Sequence, residues 1–177
     1  MMTELIIIRG GSGTGKTTLA AALRPHFPAG VTIESDHVRQ MFNEFDWMCK
    51  QKYMCCLSAL ARLVRFYAAA QLRPIIVVDT FERRYMRLFR SRLPSGFEPV
   101  IISLYADEKS VRARMSARDG ATLIEQALVN SINQGKERRL EGSRALALDT
   151  SDLTPAMVCS AALDFIGRSP KRRTVKD

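Results

Sequence analysis

Nine residues, Gly10-Gly11-Ser12-Gly13-Thr14-Gly15-Lys16-Thr17-Thr18, constrain this chain more than any others. Gly10, Gly15, Lys16 and Thr17 satisfy the spacing G-x-x-x-x-G-K-[ST]. An apolar run, Leu5 to Ile8, leads into the loop, and a helix-forming run, Leu19 to Leu23, leads out of it. Strand, glycine loop and helix in that order make an anion cradle. The glycines admit positive φ and let the backbone approach a phosphate with no Cβ between them. The loop amides and the positive end of the following helix then point at phosphate oxygens. Gly11, Ser12, Gly13, Thr14, Gly15, Lys16, Thr17 and Thr18 are the expected triphosphate-binding residues. Lys16 supplies a point charge to the outer phosphates, and the Thr17 hydroxyl is a ligand for Mg2+.

A loop of this kind is expected in an α/β fold, and the remaining pattern agrees. Val31–Glu34, Ile75–Asp79, Val100–Tyr105 and Ala145–Leu148 read as strands. Helical stretches separate them: one to about Arg24, one over 48–72, one over 82–93, two over 107–118 and 122–140, and a last one to Gly167. Thr154-Pro155 reads as an N-cap with proline in the first helical position. Ile75-Ile76-Val77-Val78 is apolar and β-branched throughout, as a strand covered on both faces is. The expected architecture is a five-stranded parallel sheet flanked by helices, three α/β/α layers, occupying residues 1–168. A basic, disordered tail is expected over 169–177. In such sheets ligands lie outside the carboxyl ends of the strands, and the loop, Asp36 and Asp79 all fall at that edge.

Composition narrows the class. No apolar run is long enough to cross a bilayer, so no membrane partner is expected. Four cysteines at 49, 55, 56 and 159 include no C-x-x-C pair, which suits free thiols and a cytoplasmic location. The formal charge of +9 favours a polyanionic or multiply phosphorylated partner. No N-K-x-D guanine-reading motif follows the loop, which argues against a guanine-nucleotide switch.

Several residues can carry chemistry. Asp36, just past the second strand, faces the triphosphate across the crevice and can accept a hydroxyl proton, or can simply cap the next helix. Arg39, three residues on, can hold a substrate anion. Asp79 can hold magnesium through water, pair with Arg39 and fix its fork, or merely end its strand. Thr80 beside it can touch phosphate or substrate. Arg114 and Arg118 lie one helical turn apart, as a lid over 112–140 would need to bring guanidinium groups over a phosphate. Arg83, Arg87 and Arg90 can share a helix face for the phosphates of a nucleic acid, or can be a solvated charged face. Phe45 and Trp47 are core residues or a stacking platform for a base.

Taken together, the loop, Asp36-x-x-Arg39, Val78-Asp79-Thr80 and Arg114-x-x-x-Arg118 resemble small P-loop kinases, above all the kinase domain of polynucleotide 5′-hydroxyl kinases. Asp36-His37-Val38-Arg39 is also similar to the acceptor-side motif of adenylylsulfate kinases, and zeta-type toxins and antibiotic phosphotransferases share the frame. The resemblance implies ATP and Mg2+, Asp36 as general base, Arg39 on the acceptor phosphate, and Asp79 bracing Arg39. It also implies Arg114 and Arg118 on the ATP phosphates, and Arg144 with Ser143 near adenine. The implied activity is transfer of the γ-phosphoryl group to a hydroxyl acceptor, a nucleic-acid end or nucleotide-like substrate first. A small molecule of antibiotic, sugar or adenylylsulfate type is the alternative, and a nucleotide-hydrolysing switch comes third. Arg83, Thr80, Asp79, Arg39 and Asp36 then form the acceptor side.

Overall fold

A computed structural model describes residues 5–44, 46, 49–119 and 144–168. The expected helix over 122–140, most of the lid, Phe45, Trp47, Ser143 and the 169–177 tail lie outside the described residues, as do the side chains of Arg118 and Asp119.

Five strands run parallel: β1 (Leu5–Gly10), β2 (Val31–Glu34), β3 (Ile75–Asp79), β4 (Val100–Tyr105) and β5 (Ala145–Asp149), in the order β2-β3-β1-β4-β5. Helices α1 (Lys16–Leu23), α2 (Ser35–Gln40), α3 (Lys50–Ala69), α4 (Arg83–Arg90), α5 (Glu108–Asp119) and α6 (Pro155–Gly167) connect or follow them. Most ends lie within a few residues of the expected ones. Strand β1 runs two residues further than its apolar run, because Arg9 and Gly10 continue the ladder beside Asp79 and Leu104.

Side-chain alternation along the strands builds two cores, one on each face of the sheet. Leu5, Ile7, Ile33, Ile75, Val77 and Ile101 point at α3 and α4, where Leu57, Leu60, Val64, Met86 and Phe89 meet them. Ile6, Ile8, Ile76, Val78, Ile102 and Leu148 point the other way, onto Leu19 and Leu23 of α1 and Val158, Ala162 and Ile166 of α6. Strands buried on both faces need apolar side chains at every position, which is why β1 and β3 are nearly unbroken in Ile, Leu and Val. The three layers anticipated above are present.

The first core face turns polar at its carboxyl end. Arg9, Asp79 and Ser103 stand in register on β1, β3 and β4, directly beyond Ile7, Val77 and Ile101. Burial there is close to complete for Arg9 and Asp79. This buried polar rim lies under the phosphate loop and beside α2, and it organises the site.

Candidate active site

The loop between β1 and α1 is bent as the glycines permit. Gly13 has φ +78° and Gly15 has φ +91°, a left-handed region that other residues rarely enter. Gly15 caps α1 and has no side chain to bond the amides of the helix's first turn. The first-turn amides are therefore available to an anion. Thr17 and Thr18 are exposed in that first turn. The Lys16 ammonium donates to Gly11 O at 2.9 Å, and the buried Thr14 hydroxyl donates to the same carbonyl at 2.8 Å. Gly11, Ser12 and Gly13 form the bend itself. An exposed hydroxyl at Thr17, a lysine folded over the loop and uncapped amides fit a magnesium-bound triphosphate.

Across the crevice, β2 passes directly into the short helix α2, which carries Asp36 in its first turn and Arg39 in its last. The Arg39 guanidinium spans three partners. Nη1 donates to Ser35 Oγ at 2.7 Å and to Asp36 Oδ1 at 2.6 Å, and Nη2 donates to Asp79 Oδ1 at 2.6 Å. Exposure grades along this chain: 0% for the Asp79 side chain, 5% for Arg39 and 70% for Asp36. A buried carboxylate thus fixes a buried guanidinium, which in turn holds an exposed carboxylate by its Oδ1. Burial alone would lower the Arg39 pKa. The charge of Asp79 and the hydrogen bonds that Arg39 donates to Asp79 and Asp36 reverse that and raise it, so Arg39 stays charged.

Asp79 Oδ1 also accepts the Thr80 backbone N–H at 2.7 Å, while its buried Oδ2 has no hydrogen-bond partner among the described residues. Of the roles open to it from sequence, the geometry shows the pairing with Arg39. Strands β2 and β1 flank β3, so Asp36 starts roughly 10 Å across the sheet from the phosphate loop, two strand spacings.

Tyr53 of α3 lies against Arg39, its ring centroid 5.5 Å from the guanidinium carbon, and packs on Tyr85 of α4 with ring centroids 4.2 Å apart and the planes tilted by 44°. Burial and the Asp79 charge raise the Tyr53 pKa, so its phenol is neutral. Arg83, the first residue of α4, is exposed, as are Arg84 and Arg87.

Two residues sit differently from expectation. Arg114 is no free lid arginine. Its guanidinium donates to Gly13 O at 3.3 Å, to Thr150 Oγ1 at 3.1 Å and to Thr150 O at 2.5 Å. Val111 and Met115 of the same helix are buried and approach Gly13. The described part of α5 is therefore anchored on the phosphate loop. Arg144 is a correction. Its carbonyl accepts from Ile101 N at 2.9 Å and it directly precedes β5, so it lies at the amino edge of the sheet, opposite the phosphate loop. In a parallel sheet the residues after a strand, not those before it, reach the ligand edge. The residues after β5 do so here.

Thr150, only 3% exposed, is a buried polar residue at this edge to which the sequence assigned no role. Its hydroxyl lies 3.1 Å from both Thr14 O and Tyr105 O and shares its hydrogen between them. In the sequence it stands directly after a short apolar strand.

Residues 5–141 match the family described as an AAA domain. Among solved structures, the fold resembles an unliganded sugar kinase from Janibacter sp. HTCC2649, with a TM-score of 0.71 and 23% identity over 95% of this chain and 96% of that one. It also resembles a gluconokinase from Sinorhizobium meliloti 1021, with a TM-score of 0.70 and 22% identity over 94% and 93% of the two chains. A third is the Mycobacterium tuberculosis APS kinase in complex with AMPPNP and APS, with a TM-score of 0.68 and 14% identity over 94% and 98%. These likenesses establish a P-loop kinase-like fold. Among curated proteins, none matches this chain.

Proposed function

The chain belongs to the AAA-domain family, and from that premise we propose that it is an ATP-dependent kinase that phosphorylates a hydroxyl group of a small molecule. The observation that carries this reading is the graded chain Asp79–Arg39–Asp36, which ends in an exposed, oriented carboxylate at the same sheet edge as the phosphate loop. A protein that only hydrolysed nucleotide would have no need of an acid held in this way two strands from its phosphates.

The chain's residues divide the work. The loop amides, Lys16 and the first turn of α1 hold the triphosphate. Thr17 would hold magnesium, which when bound neutralises charge on the phosphates. Asp36 Oδ2 takes the proton of the acceptor hydroxyl as that oxygen forms its bond to the γ-phosphorus, the bond to the β–γ bridging oxygen breaks, and ADP departs. Arg39 fixes the angle of Asp36, and its two carboxylate partners leave it little charge for an acceptor phosphate. Tyr53 and Tyr85 flank the acceptor side, with Thr80 and Arg83 at its border. Catalysis of this kind is positioning and electrostatics.

The sequence put a nucleic-acid end first among acceptors, and the compared structures lend that no support. A sugar kinase, a gluconokinase and an APS kinase support the small-molecule reading instead. The test is γ-labelled ATP offered with sugars, sugar acids, nucleotides, aminoglycosides and 5′-hydroxyl oligonucleotides. Transfer to at least one small hydroxyl compound is expected. Transfer confined to oligonucleotides would overturn the acceptor class, and ATP hydrolysis with no transfer to any of them would overturn the kinase reading.

A further inference from the structure

Four carbonyls of the phosphate loop are met by donors from the protein. Gly11 O accepts from Thr14 and Lys16, Gly13 O from Arg114, Thr14 O from Thr150, and Gly15 O from the Leu19 amide. A peptide's C=O and N–H point in opposite directions. Each held carbonyl therefore fixes the next residue's amide on the other side, and the amides so fixed include those of Thr14, Gly15 and Lys16. These are the donors an anion cradle depends on.

Two of the restraints are not local: Arg114 is 101 residues from Gly13, and Thr150 is 136 from Thr14. The two are also joined to each other, Arg114 donating to both the hydroxyl and the carbonyl of Thr150. The Thr14–Gly15 peptide has a glycine on one side, which makes its rotation cheap unless the carbonyl is tied.

We propose that Thr150 is a positioning residue for the donor nucleotide: it holds the Thr14–Gly15 peptide with its amide toward the phosphates, and Arg114 joins it to the Gly13–Thr14 peptide. Nothing in this assignment touches the reacting atoms. It rests on the phosphate loop binding ATP, as proposed above, and adds the first residue after β5 to the parts that make the loop competent.

The test is titration of the purified protein with a fluorescent N-methylanthraniloyl-ATP, beside a thermal melt of each variant. Thr150→Val keeps the shape and removes the hydroxyl. Leaving a buried carbonyl without its donor is expected to weaken ATP binding by about tenfold. Thr150→Ser restores the hydroxyl and is expected to bind within about threefold of wild type. Leu148→Ala, a core change on the same strand that removes none of these hydrogen bonds, is expected to lower the melting temperature and keep wild-type affinity. Wild-type affinity in Thr150→Val, failure of Thr150→Ser to rescue, or an equal loss in Leu148→Ala would each overturn the assignment. Should Thr150→Val fail to fold, Arg114→Met carries the same test, with a loss of similar size expected and wild-type affinity overturning it. Failure of the wild-type protein itself to bind ATP would instead sink the nucleotide reading on which the assignment rests.

Discussion

Replacing Asp79 with Asn probes the buried end of the acceptor site. The substitution keeps the shape and an oxygen able to accept from the Thr80 amide, and removes one charge. Arg39 is 5% exposed and would then face a neutral group at 2.6 Å, with Asp36 as its remaining carboxylate partner. Removing one member of a buried ion pair costs about 3–5 kcal/mol, because the other charge stays buried without its partner. The retained Asp36 contact puts this case at the lower end, about 3 kcal/mol. For a chain of this length each kcal/mol moves the melting temperature by about 2–4 °C, so a drop of about 6–12 °C is expected by circular dichroism. A second variant tests the cause. Arg39→Met combined with Asp79→Asn removes both charges of the pair, and should melt at or above the temperature of Asp79→Asn alone. An Asp79→Asn protein that melts within about 2 °C of wild type would refute the claim that this pair holds the acceptor side. So would a double variant that loses the sum of the two single losses.

Other consequences follow from the loop and the thiols. A Cβ at Gly10 would run into the Leu104 carbonyl and lie 2.6 Å from the Thr14 hydroxyl, whereas one at Gly15 meets nothing within 4 Å. Gly10→Ala should therefore lower both the melting temperature and ATP affinity. Gly15→Ala pays only for its left-handed φ, about 1–2 kcal/mol, and equal damage from the two would contradict this. Burial pushes the Cys56 thiol up to about 11 from an ordinary value of 9.0, while Cys55 is exposed. Iodoacetamide at pH 8 should label Cys55 and spare Cys56, as peptide mass mapping would show. A raised thiol pKa means the folded state holds that proton more tightly. The Cys56 contribution to stability is thus complete below pH 9 and lost between pH 9 and 11, and a Cys56→Ala variant should show a shallower fall across that window.

Local chemistry was legible in the sequence, and long-range placement was not. The glycine loop, the proline at the start of α6 and the β-branched run of β3 each carry their cause within a few residues, and their elements formed where expected. The pairing of Asp79 with Arg39 was one of three readings open from sequence, because 40 residues separate them and only the adjacency of β2 and β3 brings them together. Arg114 read as a lid arginine from its spacing to Arg118. Its partners in the fold are the Gly13 carbonyl, 101 residues away, and the hydroxyl and carbonyl of Thr150, 36 residues away, which no periodicity encodes. Arg144 was misplaced because a resemblance located it near adenine without asking which end of β5 it adjoins. The direction of a parallel strand answers that question: what precedes the strand lies away from the ligand edge. Thr150 received no role from the sequence because a single threonine after a short strand has no motif of its own, and its burial appears only once the sheet is assembled.

The most direct test of the central claim compares wild type with Asp36→Asn in phosphoryl transfer from γ-labelled ATP to the best small-molecule acceptor, with ATP affinity measured in parallel. The account predicts that the variant binds ATP as wild type does and loses transfer by about 10²-fold or more, because the hydroxyl proton has lost its acceptor. Transfer at close to the wild-type rate by Asp36→Asn would contradict it.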